Sequence, residues 1–250
     1  MQSILVFGLP TAWRPSHPDM DAGAWRSRWL TAGIGDQAAW NAQRVVATGD
    51  LLWVIAGSPD ASAWLDRHTD AIAAQVADVA GDAVRLEARQ RQVTLRFAKE
   101  GLWAYRIPRL VIEKGAGQWQ PHFEVPLGQP LREKLSALIS SGLRRELSTW
   151  GRLPHDIADP ATPLVAIANP GRAYITKAIS ADRSGHGKPV SVLGRSNVIV
   201  LSTLRVEGDL FVGPLASLGY GRLLRTTPPD TLDHDVQRDL LRLPADEDTP

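Results

Sequence analysis

The sequence predicts an α+β fold of two similar units in tandem, and three observations carry that prediction. Strand-like apolar segments alternate with helical ones through the first half in the order β-α-β-α-β. A long amphipathic helix over Leu131–Trp150 precedes a second series of strand-like runs. In both halves a helix is followed by paired strands.

The first strand is Ser3–Gly8, apolar without clean alternation, as a strand buried on both faces requires. Leu9–Pro18 follows with Pro10, Pro15 and Pro18, so no regular structure is expected there. Asp21–Ala32 spaces Trp25, Trp29 and Leu30 along one helical face, with Asp19 or Asp21 as its cap, and a second short helix covers Asp36–Gln43. Val45–Ala56, rich in Val, Ile, Leu and Trp and interrupted by Gly49-Asp50, reads as a strand or hairpin. The next helix has Ser58 as N-cap, Pro59 in its first position and Gly81 at its end, and Trp64, Ile72, Val76 and Val79 form its apolar stripe. Val84-Leu86-Ala88 and Val93-Leu95-Phe97 alternate with charged residues, and the change of parity between them predicts a hairpin or a bulge.

Residues 102–128 carry Trp103, Tyr105, Ile107, Leu110, Val111 and Ile112 and read as strands broken by Gly115-Ala116-Gly117. On the long helix, Leu131, Leu135, Leu138, Ile139, Leu143, Leu147 and Trp150 form the stripe, and Arg132, Lys134, Arg144 and Arg145 the opposite side. Strands are expected over Pro163–Ala168, Ala173–Ala178 and Val190–Val206, a short helix or turn over Gly208–Leu215, a last strand over Arg222–Thr226, and a helix over Asp233–Leu243. This order is that of two ferredoxin-like (RRM-like) domains. One is expected over residues 1–115 and the other over 116–228, with a short helix and acidic tail over 229–250.

Composition narrows the chemistry. The 250 residues include no cysteine, which excludes disulfides, thiolate nucleophiles and cysteine-based metal sites. No two of the six histidines stand at i, i+4, and Asp233-His234-Asp235 point in different directions on a helix, so no metal site and no cofactor are expected. No nucleophile elbow marks a small-molecule enzyme. No run of apolar residues reaches membrane-helix length and no signal-peptide pattern opens the chain, so a cytoplasmic protein without a membrane partner is expected. Nine tryptophans against four phenylalanines is an unusual ratio; an indole stacks as well on a base as in a core.

Net charge is only +1, but its distribution is uneven. Between Gly171 and Arg225 the eight basic residues are Arg172, Lys177, Arg183, Lys188, Arg195, Arg205, Arg222 and Arg225, against the three acids Asp182, Glu207 and Asp209. After Thr226 the balance reverses, with seven acids against Arg238 and Arg242. Such a segment suits a phosphate-binding face and equally a solvated one. Within it lies Gly213-Pro214-Leu215-Ala216-Ser217-Leu218-Gly219-Tyr220-Gly221, running into the strand-like Arg222–Arg225. Glycines permit positive φ and close approach of backbone to a phosphate; here the run enters a strand, which excludes Walker and Rossmann loops.

These residues resemble the glycine-rich loop of the repeat-associated RNA-binding proteins of CRISPR systems. That loop reads glycine-hydrophobic-glycine, five residues, glycine-hydrophobic-glycine, ahead of the last strand of a second ferredoxin-like domain. Phe211-Val212-Gly213 stands for the first triplet and Gly219-Tyr220-Gly221 for the second, while Ser202–Gly208 resembles the strand leading in and Arg222-Leu223-Leu224 the strand leading out. Phe211 departs from the pattern where a glycine is usual, and the five-residue insert lacks the usual Arg or Lys. The likeness is close over residues 195–226 and elsewhere rests on element order. The nearest kind is the repeat-processing endoribonuclease, and the subtype suggested is type IV.

The resemblance implies a metal-independent enzyme that binds a repeat hairpin, cuts beside it by attack of a 2′-OH, and keeps the guide RNA. Its partners would be CRISPR repeat or guide RNA and other subunits of an effector complex. The same features would also serve a non-catalytic RNA-binding subunit. The region where the family places its catalytic His or Tyr offers His17, Arg26 and Arg28, with Trp13 and Arg14 as a wall for a base and a phosphate. For RNA binding the candidates are Arg14, Arg144, Arg145, Arg172, Lys177, Arg183, Lys188, Arg195, Gly213, Gly219, Gly221, Arg222, Arg225 and Arg242. Arg144 and Arg145 are expected to clamp a stem from an exposed helix face, and Ser180–Lys188 to form a loop that orders on RNA.

Overall fold

The computed structural model describes residues 2–11, 13–17, 20–81, 83–91, 94–97, 102–114, 129–150, 157–181 and 187–244. The chain divides into two compact units. The first comprises Met1–Val93, Ala178–Pro189 and Ser217–Gly219, and the second Thr94–Lys177, Val190–Ala216 and Tyr220–Pro250.

The first unit runs β1 (Gln2–Gly8), α1 (Trp13–Ser16), α2 (Ala22–Thr31), α3 (Gln37–Asn41), β2 (Gln43–Thr48), β3 (Leu51–Ala56), α4 (Pro59–Ala80) and β4 (Arg85–Arg91). Its sheet has the order β2-β3-β1-β4 with antiparallel neighbours, the topology of a ferredoxin-like βαββαβ unit. The unbroken apolar run of β1 is explained by its place: it pairs with β3 on one side and β4 on the other, and Ile4, Leu5, Val6 and Phe7 are all buried. The helices start where their caps dictate. Asp21 Oδ1 accepts from the Gly23 and Ala24 amides at 2.8 and 2.9 Å, Asp36 Oδ1 from Ala39 at 2.8 Å, and Ser58 Oγ from Ala61 at 3.1 Å. Gly81, at φ +86°, ends α4. Trp25, Trp29 and Trp40 are fully buried together with Phe7, Leu52, Leu65, Ile72 and Val76, so most of the unusual indole content serves this core.

The rest of the chain forms β5 (Thr94–Phe97), β6 (Trp103–Lys114), α5 (Gln129–Thr149), β7 (Ala166–Asn169), β8 (Arg172–Ala181), β9 (Gly187–Ser202), β10 (Leu204–Glu207), a 3-10 turn (Ala216–Leu218), β11 (Leu224–Thr226) and α6 (His234–Leu240), which make up the second unit apart from the end of β8, the start of β9 and residues 217–219, all counted with the first. The main sheet has the order β11-β6-β9-β7, again antiparallel, with β8 also paired to β9. Counting β6, β7, β9 and β11 as first to fourth strands gives the same ferredoxin-like order as in the first unit. The 3-10 turn and the glycine run stand where the first unit has α4. On α5, Leu131, Leu135, Ile139, Leu143 and Leu147 are buried at every fourth position, followed by Trp150 just past its end. The α+β class and both ferredoxin-like sheets are as the sequence predicts.

Two local expectations are corrected and a third is met in part. The proline-rich stretch forms the short helix α1, because Pro15 falls in a first turn whose amides have no intrahelical acceptor and loses nothing there. The hairpin or bulge expected around residues 84–97 is not seen among the described residues, where 94–97 pair with β10, Leu204 opposite Phe97. Of the short helix or turn expected over Gly208–Leu215, a turn stands at 214–215, and the 3-10 residues follow beyond that range at Ala216–Leu218. Among the described residues no helix is long and apolar enough to cross a membrane.

Candidate functional site

In the first unit the prediction centres on His17. It follows α1 directly and is exposed. Its Nδ1 lies 2.9 Å from the Trp13 carbonyl oxygen, and its ring stacks on the Trp13 indole with centroids 4.4 Å apart and planes 11° apart. The stack continues inward. Trp13–Trp25 centroids are 5.8 Å apart, Trp25–Trp29 5.7 Å and Trp29–Trp40 4.6 Å, and Trp40 meets Trp64 edge-on at 5.1 Å. The far end closes with His68, stacked on Trp64 at 4.3 Å, its Nδ1 2.8 Å from the Trp64 carbonyl. Seven aromatic rings thus form one chain with a histidine at each end. The sequence reading missed this, although the spacing Trp-x-x-x-His at 13–17 and again at 64–68 was there to be seen.

The two arginines proposed beside His17 have structural occupations. Arg26 is half-buried and its Nη2 donates to the Gln43 carbonyl at the start of β2; burial lowers its pKa from the ordinary arginine value. Arg28 pairs with Asp78 on α4 at 3.3 Å, both exposed. The side chain of Arg14 lies outside the described residues.

In the second unit the arginines divide into two groups. Arg144 is buried rather than exposed: its Nε donates to the Ile157 carbonyl at 2.6 Å and its Nη2 to the Thr162 carbonyl, so it ties α5 to the segment before β7. Burial lowers its pKa, opposed by nearby Asp159. The expectation that it clamps a stem is corrected: at a helix position facing 157–162 the guanidinium is taken up by backbone carbonyls. Arg195 is also buried, donates to the Gly171 carbonyl at 3.1 Å, and has its pKa lowered by burial. Arg222 forms a 2.7 Å ion pair with the buried carboxylate of Asp209. The exposed group comprises Arg145, Arg172, Arg225 and Arg242. Arg145 Nη2 reaches the Gly213 carbonyl at 3.5 Å, and Arg242 stands 4.0 Å from Asp239 at the end of α6. Arg225, with Arg205, lies over the indole of Trp103, at 4.5 and 4.6 Å from the ring centre. Arg183 and the side chains of Lys177 and Lys188 lie outside the described residues.

The glycine run is closed on itself. Val212 donates to the Gly221 carbonyl at 2.9 Å, Leu223 to Leu210 at 3.0 Å, and Gly221 to the Arg109 carbonyl on β6 at 2.6 Å. Gly213, Gly219 and Gly221 have φ of +80°, +84° and +76°. A Cβ at Gly221 would lie 1.7 Å from the Val212 carbonyl oxygen, and one at Gly219 2.7 Å from the Thr48 side chain. Glycine is therefore demanded by conformation and close packing, and the amides of Val212, Gly221 and Leu223 are already used. Close to Tyr220 of this run, Tyr174 approaches the Leu110 carbonyl at 3.5 Å; burial and then Tyr220 push its pKa up to about 12, against the opposing pull of Arg109, so it stays a protonated donor. Among the described residues no three His, Asp or Glu side chains gather where they could hold a metal.

No protein-family model matches the sequence, and no curated protein matches it. Solved structures do match. Csf5, a CRISPR-Cas type IV Cas6 crRNA endonuclease, aligns with TM-score 0.54 and 16% identity over 90% of this chain and 99% of its own. A Cas6 product complex aligns at 0.49 and 12% over 90% and 99%, and a Cas6b structure at 0.48 and 9% over 90% and 100%, TM-scores too low to add weight. Over nine-tenths of its length, the chain has the fold of the type IV Cas6 crRNA endonuclease Csf5.

Proposed function

We propose that this protein is a metal-independent CRISPR precursor-RNA endoribonuclease that binds a repeat hairpin, cleaves beside it and retains the guide RNA. The observation that carries this reading is the likeness to Csf5 across almost all of both chains. In the reaction the ribose 2′-oxygen bonds to the adjacent phosphorus while the bond to the 5′-oxygen breaks. The 2′-OH proton passes to a base and the departing 5′-oxygen gains a proton, leaving a 2′,3′-cyclic phosphate and a 5′-hydroxyl. His17 is the proposed base: it is exposed, whereas Arg26 and Arg28 hold Gln43 and Asp78 and would act only by stabilising charge. Arg145, Arg172 and Arg225 are the proposed phosphate contacts, since they are exposed. The retained RNA would pass with the protein into a cytoplasmic effector complex.

The test is incubation of purified protein with end-labelled repeat RNA in EDTA. Cleavage at one position with a cyclic-phosphate end is expected, and His17→Ala is expected to slow it about 10²- to 10⁴-fold. Tight binding of RNA that remains intact would favour a non-catalytic RNA-binding subunit instead. No binding above that of an unrelated RNA would remove both readings.

A further inference from the structure

We propose that Trp13 is a positioning residue that holds the His17 imidazole as its Nδ1–H tautomer, leaving the Nε2 lone pair to accept a proton; this rests on reading His17 as the base. Two contacts define the ring. A carbonyl oxygen only accepts, so the 2.9 Å contact from His17 Nδ1 to the Trp13 carbonyl places the proton on Nδ1. A neutral imidazole protonated at Nδ1 carries its lone pair on Nε2, the atom farther from the backbone. Free histidine in water favours the opposite tautomer, with Nε2 protonated and unable to act as a base. The second contact, the near-parallel stack at 4.4 Å, stops the ring from rotating away from that carbonyl.

Trp13 can hold a ring because it is itself held. It is buried and stacks on Trp25, and Trp29 and Trp40 continue the row; the Trp40 Nε1–H donates to the Ile34 carbonyl at 2.6 Å. A base borne on an exposed loop would sample many orientations, whereas here the buried core reaches one ring short of the solvent and backs His17. The same arrangement recurs at the other end, where His68 stacks on Trp64 and its Nδ1 is 2.8 Å from the Trp64 carbonyl. Residues four apart on a helix lie above one another, which is why the Trp-x-x-x-His spacing generates both contacts at once. His68 has no role in the proposed reaction and serves as an internal control.

The experiment is two-dimensional NMR of the full chain with ¹⁵N-labelled histidine at about pH 8.5, where free imidazole is neutral, paired with single-turnover cleavage. The wild type is expected to show two histidines in the Nδ1–H form, one removed by His17→Ala and the other by His68→Ala. Trp13→Leu keeps the backbone carbonyl and apolar bulk but loses the stacking face. It is expected to return the His17 signal to the Nε2–H form and to slow cleavage about tenfold at unchanged RNA affinity. Trp13→Phe, which keeps a face to stack on, is expected to restore both the tautomer and the rate to within about twofold. A wild-type His17 in the Nε2–H form overturns the proposal even if no Trp13 variant folds. Normal tautomer and rate in Trp13→Leu overturn it while His17→Ala remains inactive, which leaves the base assignment standing. Wild-type cleavage by His17→Ala removes the base assignment, and the positioning role with it.

Discussion

At the scale of the residue, arginines that look alike in the sequence have different destinations. Arg144 and Arg145 are adjacent on α5, yet the first is buried among carbonyls and the second is exposed. A guanidinium bound to two backbone carbonyls contributes charge-assisted hydrogen bonds, each worth roughly 1.5–3 kcal/mol, and its removal leaves buried acceptors unmet. Arg144→Ala is therefore expected to lower stability by about 2–4 kcal/mol, measured as a drop of several degrees or more in Tm, whereas Arg145→Ala is expected to change it by less than about 0.5 kcal/mol. Equal losses in the two variants would refute the distinction. Arg225 is exposed and lies over Trp103, so Arg225→Ala should barely affect stability. It should weaken RNA binding and reduce the slope of log affinity against log salt by about one, in a filter-binding titration. An unaltered slope would remove Arg225 from the proposed phosphate contacts. The charges themselves were legible in the sequence. Which ones serve the fold was not, because Ile157 and Thr162 approach Arg144 only once the chain is folded.

At the scale of the element, caps and stripes were legible and strand partners were not. Ser58, Pro59 and Gly81 mark α4 because capping is local chemistry, and the four-residue rhythm of leucines marks α5 for the same reason. The pairing of β5 with β10 joins residues more than a hundred positions apart, and nothing within 94–97 encodes it. The glycine run was recognised by its spacing, but the reason for its glycines came from the structure. Gly221→Ala would push a Cβ into the Val212 carbonyl at a φ of +76° and is expected to cost at least about 2 kcal/mol, seen as a lower urea midpoint. A stability change under about 0.5 kcal/mol would show that the run is held less tightly than its hydrogen bonds imply. The C-terminal helix gives a pH prediction. The Val236 amide, at 2.9 Å, and then Arg132, at 2.7 Å, hold the Asp233 carboxylate below the ordinary aspartate range. A group depressed in the folded state contributes stability that is complete above its unfolded value of about 3.9 and is lost as pH falls through the lower folded value. Docking of α6 should therefore hold at pH 5 and loosen below about pH 4, read from exchange of the Val236 amide. Asp233→Asn, which still caps the helix, should remove most of that acid step.

At the scale of the whole molecule, both halves build the same strand order from sequences with no visible repeat, which is why the fold class was legible from element order alone. The second half departs where its second helix would stand, and there the expected short helix or turn caught the turn at 214–215 but not the 3-10 residues after it: three residues of 3-10 structure leave little periodicity to detect. Function at this scale turns on charge. With 28 basic and 27 acidic residues the chain generates no strong overall attraction for RNA, so the proposed binding would have to come from local contacts. If about three to five phosphates of the hairpin stem are neutralised, the slope of log affinity against log salt should be about −2.7 to −4.5 with the duplex coefficient, or roughly a 40- to 500-fold loss between 50 and 200 mM salt. A repeat hairpin and a scrambled RNA of equal length should share that electrostatic part and differ by shape and base contacts, which salt affects little. Their two titrations should thus run nearly parallel, with the hairpin binding more tightly at every salt concentration. A slope steeper than about −6 would mean that far more phosphates are gripped than the exposed arginines supply. Lines that converge at high salt would mean that the hairpin is preferred only for its charge density, and recognition of a specific repeat would then have to be abandoned.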